Sequence, residues 1–244
     1  MDPGILTVLG LAMLPAVGNI GGGVLAEWLN PGERTLNRAL HAAAGVMLAV
    51  VAVEVMPEAL GSTPAWLLAP FFLAGGLAYL LAEKGLQRWQ ETRPAGAGAG
   101  AWMIYLGVTA DLLGDGLLIG AGTAVSTRLA LLLALGQVLA DIPEGFAVIA
   151  NFRHRGLAVR TRMLLSASFL LPVVGAALFA YFVLRGQDES VKMLGLVFAA
   201  GLYTLAAVED MLHEAHEAVE DSRWSAVSFL VGFTLFLALS GGFG

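Results

Sequence analysis

The chain has 244 residues, 58% of them hydrophobic and only 13% charged, with a mean hydropathy of +0.79 and a net charge of −6. That balance is too apolar for a water-soluble core of this length and is the composition of a membrane protein. The absence of cysteine excludes disulfides and thiolate metal sites, and no basic stretch offers a nucleic-acid footprint.

Eight apolar segments follow one another: Gly4–Leu29, Leu36–Leu60, Ala65–Ala82, Ala101–Val125, Leu129–Phe152, Met163–Leu184, Val191–Val219 and Ala226–Phe243. Each is close to the roughly 20 residues a helix needs to cross a bilayer. The start, MDPGILTVLG, lacks a basic n-region and reads as part of the first span, not as a cleaved signal peptide. The connections are short. The longest, Glu83–Gly100, contains PAGAGAGA and is expected to be a flexible linker. The fold expected is an all-α integral membrane protein of eight transmembrane helices in one domain covering residues 1–244.

Ten of the 13 Lys and Arg residues fall on one side of these spans: Arg34, Arg38, Lys84, Arg88, Arg93, Arg153, Arg155, Arg160, Arg162 and Arg223. Arg128, Arg185 and Lys192 fall on the other. The asymmetry predicts a cell-membrane protein with the first side cytoplasmic and both termini outside. Trp28, Trp66, Trp89, Trp102 and Trp224 all lie near segment ends, as interfacial anchors do.

The sequence repeats itself. LPAVG at Leu14–Gly18 answers LPVVG at Leu171–Gly175, AVEVM at Ala52–Met56 answers AVEDM at Ala207–Met211, and FLAG at Phe72–Gly75 answers FLVG at Phe229–Gly232. A shift of five spans reverses direction. The pattern therefore predicts an inverted 3+2+3 repeat, with residues of about 4–93 and 157–243 flanking central helices four and five at about 101–152. Inverted repeats are a mark of secondary transporters, whose substrate sites lie near the midplane.

The central pair carries the chemistry. Asp111 and Asp115, spaced i,i+4, share a face of span four; Asp141 and Glu144, spaced i,i+3, share one of span five. A carboxylate at the centre of a bilayer costs roughly 2.5–3.5 kcal/mol on insertion scales. Four of them near mid-depth, with no Lys nearby, call for a cation, and together they offer an all-oxygen site. Pro143 removes a backbone donor and frees a carbonyl beside them. Protonated acids hydrogen-bonded between helices are the alternative, but packing does not require four.

Span seven adds Glu209, Asp210, His213, Glu214 and His216 in its inner half; Glu209, His213 and His216 form one helical stripe. Glu54 and Glu58 in span two are their repeat counterparts in the outer half. The expectation is an outer entrance at Glu54 and Glu58, a transport site at Asp111, Asp115, Asp141 and Glu144, and a cytoplasmic exit at the span-seven cluster. His41 and His154 are not expected to be ligands. Asn19 and Gln137 are expected to make helix–helix hydrogen bonds, with Gln137 bordering the site through its i−4 spacing to Asp141.

On these motifs the chain resembles a divergent, bacterial-type member of the ZIP family of divalent metal transporters. DLLGDG at Asp111–Gly116 takes the place of the span-four pattern His-Asn-x-x-Asp/Glu-Gly. ADIPEG at Ala140–Gly145 keeps the Asp, Pro, Glu and Gly of the span-five pattern. EDMLHEAH at Glu209–His216 follows the span-seven pattern, and PEAL at Pro57–Leu60 that of span two. The resemblance implies a transported divalent cation, a site between spans four and five, no enzymatic activity, no prosthetic group, and a homodimer. Asp111, Leu112 and Ala140 replace nitrogen or amide ligands of the family, and Leu171 stands where two-metal members place a Glu before Pro172. These departures imply one ion, not two, and a range extending from Zn²⁺ to Mn²⁺, Fe²⁺ or Cd²⁺.

Two other readings stand beside this one. An intramembrane aspartyl protease would use Asp115 and Asp141 as a dyad, but Leu112 occupies the position where its motif needs a glycine. His213 and His216 lack the spacing of a zincin. A transport-inactive membrane scaffold is the third.

Overall fold

The computed structural model describes residues 3–29, 32–91, 99–218, 220 and 222–242. The PAGAGAGA linker lies largely outside them. The described residues are helical almost throughout, with no strand among them. Eight helices are long and apolar enough to cross a membrane: α1 (Gly4–Leu29), α2 (Glu33–Ser62), α3 (Ala65–Trp89), α4 (Gly100–Val125), α5 (Thr127–His154), α6 (Val159–Leu184), α7 (Glu189–His216) and α8 (Arg223–Gly241). They match the eight segments expected, except that α3 continues to Trp89, into the stretch Glu83–Gly100 expected to be a connection. All five Trp side chains are exposed, Trp28 and Trp66 most of all.

Local chemistry sets the ends and breaks. Ser126 caps α5 by accepting from the Leu129 N–H, and Ser222 with Ser225 forms a capping box at α8. Gly156, at φ 77°, turns the chain after α5. In α6 the helix breaks at Phe169, because Pro172 has no N–H to return to the carbonyl of Ser168. Inside the spans, Thr109, Thr123 and Thr204 satisfy their hydroxyls on the carbonyl four residues back.

α2 and α7 each contain one π-helical stretch, at Val50–Val55 and Ala207–Leu212. These hold the matching AVEVM and AVEDM sequences, except that Met56 falls just beyond the first. Such turns add a residue to the helical register and are frequent at functional sites.

The helices pack as two groups. In the first, α1 lies along α5 and α4 along α6, with α4 against α5 and α1 against α6. In the second, α2 lies along α8 and α3 along α7, with α2 touching α7. The groups meet where α2 crosses α5 and α4 crosses α7, whereas α3 barely touches α4 and α6 barely touches α7. Glycine permits the closest approaches. A side chain at Gly145 would collide with the Asn19 carbonyl of α1, and one at Gly45 with that of Phe229 in α8. At one end the first group is also tied by charge. Buried Arg162 donates from Nε and Nη2 to Glu27 at 2.7 and 2.8 Å, and from Nη1 to the Leu157 carbonyl at 2.6 Å.

Candidate functional site

The α4–α5 crossing buries Asp111, Asp115, Asp141 and Glu144, none more than 3% exposed. Asp115 stands beside Asp141 and Asp111 beside Glu144, so the two helix faces converge as their i,i+4 and i,i+3 spacings require. Two amide side chains join them. Asn19 of α1 donates from Nδ2 to Glu144 Oε2 at 3.0 Å, and Gln137 donates from Nε2 to the Asp115 carbonyl at 3.1 Å. Gln137 was expected at this border; Asn19 was read only as a helix–helix contact and proves to touch an acid of the cluster.

The hydrogen-bond ledger of this region is unbalanced. Apart from the acid–acid contacts Asp111–Glu144 and Asp115–Asp141, which become hydrogen bonds only with a shared proton, both oxygens of Asp111 and of Asp115, Asp141 Oδ2, Asn19 Oδ1, Gln137 Oε1 and the Tyr203 hydroxyl are buried without a hydrogen-bond partner. Buried polar atoms are nearly always paired, and most of these are acceptors, which a cation satisfies and another acceptor does not. Among the described residues, no three His, Asp or Glu side chains already stand in an arrangement that holds a metal ion.

Two cavities open at opposite ends of the bundle. The first, about 400 Å³, has Asp111 and Glu144 in its wall together with Glu83, Glu209, Asp210, His213 and Glu214. Asp115 and Asp141 are not among its lining residues; each lies about a turn further along its helix. Asn151 of α5 donates to Glu214 of α7 at 2.7 Å in this wall, and Tyr79 of α3 pairs with Asp210. The second cavity, about 580 Å³, is lined by Glu54, Glu58, Arg128, Glu189 and Ser240. Ser240 donates to buried Glu54 there. A third, mostly apolar cleft of about 620 Å³ lies between α3, α4, α6 and α7.

Each expected cluster thus has a definite place. The four central acids come together. Glu209, Asp210, His213 and Glu214 share a cavity with two of them, and Glu54 and Glu58 line the cavity at the other end. His216 departs from the stripe drawn through Glu209 and His213. It is exposed, is not among the residues lining the first cavity, and sets its ring 5.6 Å from that of His41. The π-helical stretch at Ala207–Leu212 explains part of this, because it shifts Glu209 relative to residues beyond it.

Fold and site together define a multi-pass helical bundle with a buried carboxylate cluster reached from one end. No family model matches the chain. It is similar to zinc transporter ZIP6 of Homo sapiens, 27% identical over 161 residues that cover 62% of this chain and 21% of that protein. Zinc transporter ZIP6 of Pongo abelii gives the same identity and coverage. The chain spans about a fifth of the length of these relatives.

Proposed function

We propose that the chain is a ZIP-type permease that carries a divalent cation, Zn²⁺ or a neighbour such as Mn²⁺, Fe²⁺ or Cd²⁺, through the four-carboxylate cluster. The observation that carries this reading is the set of buried acceptor oxygens on Asp111, Asp115 and Asp141 that have no donor except a proton held between the acids themselves. Side chains converge on the ion as it arrives, since they do not hold a ready-made cage without it. The route begins at Glu54 and Glu58, reaches the cluster, and leaves past Glu209, Asp210, His213 and Glu214. The similarity to proteins named zinc transporters supports the cargo class. The bias of Lys and Arg supports a cytoplasmic exit and outside termini.

The inverted repeat is supported by helix pairing. Exchanging α1 with α6, α2 with α7, α3 with α8 and α4 with α5 turns the α1–α5 contact into α6–α4 and the α2–α8 contact into α7–α3. Both members of each pair are among the most extensive in the bundle. The thin α3–α4 and α6–α7 contacts favour movement of α1, α4, α5 and α6 as one body against the others. That division is drawn from helix packing. Alternating access then consists of opening the cluster to one cavity at a time, and the state described here is open toward Glu209 and Asp210.

Uptake into proteoliposomes tests the reading across Zn²⁺, Mn²⁺, Fe²⁺, Cd²⁺ and Mg²⁺. Asp115→Ala and Glu144→Ala abolish flux if the cluster is the transport site. Unchanged flux in both would overturn the proposal, and peptide cleavage without flux would favour the protease.

A further inference from the structure

Tyr203 belongs to α7, in the helix group opposite that of the four acids, yet its side chain is 0% exposed. Its hydroxyl has no hydrogen-bond partner, an uncommon condition for a buried tyrosine. Its helix packs along α4, which carries Asp111 and Asp115, and the four acids lie within electrostatic reach of the phenol. A side-chain contact across the same interface agrees. The side chain of Leu202, the preceding residue, lies over Gly114, the residue before Asp115, so close that a methyl group at Gly114 would have to displace it. This contact between α7 and α4 thus falls one residue from Asp115.

We propose that Tyr203 is a cation-facing residue of the transport site, its phenolic oxygen supplied from across the boundary between the two helix groups. This rests on the permease reading. The hydroxyl adds a neutral oxygen to a cluster already rich in negative charge, and so contributes a donor to the ion without adding repulsion between the carboxylates. Asp111, Asp115, Asp141 and Glu144 travel with α4 and α5, whereas Tyr203 stays with α7. Sliding one group past the other takes the oxygen away from the acids. The acids have the phenolic oxygen on their side of the boundary in the present arrangement and lose it in the other.

The test is equilibrium binding of Zn²⁺ and of Mn²⁺ to the full chain in lipid nanodiscs, comparing wild type with Tyr203→Phe, Tyr203→His and Asp115→Ala. Tyr203→Phe preserves the ring, and it weakens both ions by about tenfold, the lower end for loss of a group supporting a metal site. Tyr203→His restores Zn²⁺ but not Mn²⁺, because imidazole suits zinc better than an oxygen-seeking ion. Affinities within twofold of wild type in Tyr203→Phe overturn the proposal. So does a Tyr203→His variant that loses both ions equally, which marks the residue as packing support. Should the histidine variant fail to fold, Tyr203→Phe alone decides. If Asp115→Ala also binds like wild type, the transport site itself is misplaced; if it loses binding while Tyr203→Phe does not, only the role of Tyr203 falls.

Discussion

Asn19 of α1 holds Glu144 of α5 by a 3.0 Å hydrogen bond in a fully buried contact, beside the point where Gly145 lets the two backbones meet. One amide thus fixes an acid of the cluster from a third helix. Its own carbonyl oxygen stays without a donor, facing the same shortage of hydrogen as the carboxylates. Asn19→Ala removes the donor and leaves Glu144 less restrained. A hydrogen bond to a charged group contributes about 1.5–3 kcal/mol, so Zn²⁺ affinity measured by dialysis should fall about tenfold or more. Asn19→Gln, with the same chemistry on a longer stem, should recover only part of it.

The Glu27–Arg162 pair makes a separate prediction about stability. Arg162 is 7% and Glu27 18% exposed at the side chain, so water screens the pair only partly. Arg162→Ala strands Glu27 and should cost about 2–3 kcal/mol, below the figure for a fully buried pair. A fall of several degrees in melting temperature in detergent checks this. Glu27→Ala combined with Arg162→Ala should melt higher than Arg162→Ala alone, since no charge is then left unpaired.

Backbone contact predicts which glycines tolerate a side chain. Gly145→Val drives a branched side chain into the Asn19 carbonyl and should sharply lower the yield of folded protein, because neither helix backbone can yield. Gly10→Ala, with nothing within 4 Å of the new methyl group, should express and transport like wild type. Size-exclusion profiles of the two variants make the comparison.

The two cavities are expected to face opposite sides of the membrane. The chain has no cysteine, so a single introduced thiol reports alone. Val108→Cys lies in the cavity that reaches Asp111, and Ser62→Cys in the one beside Glu54. An impermeant thiol reagent should label Val108→Cys only from the cytoplasmic face and Ser62→Cys only from outside, as judged in vesicles of opposite orientation. Zn²⁺ should slow labelling of Val108→Cys. The reverse sidedness would invert the topology deduced from the Lys and Arg distribution.

Much of this was legible in the sequence, for identifiable reasons. Helix number follows from apolar length, and the central acids stand out because carboxylates are rare in a span. Their meeting was readable too, since i,i+4 and i,i+3 spacings give each helix one acidic face. Asn19 was legible as a helix–helix hydrogen bonder, but not as the partner of Glu144. Tyr203 carried no signal, because its proposed role depends on which neighbour it meets and no spacing within α7 reveals that. Arg162 was counted only as a surface charge because its partner, Glu27, is 135 positions away. The departure of His216 from its stripe has a local cause, since a 3.6-residue period does not anticipate a π-helical stretch.

Anomalous diffraction from crystals of the full chain grown with Cd²⁺ locates the ion itself. A transport site at the four carboxylates predicts a peak between α4 and α5, within coordination distance of oxygens from at least three of Asp111, Asp115, Asp141 and Glu144, and its loss in Asp115→Ala. Cd²⁺ bound only at the two vestibules, with the four central carboxyls unliganded at saturating ion, would contradict it.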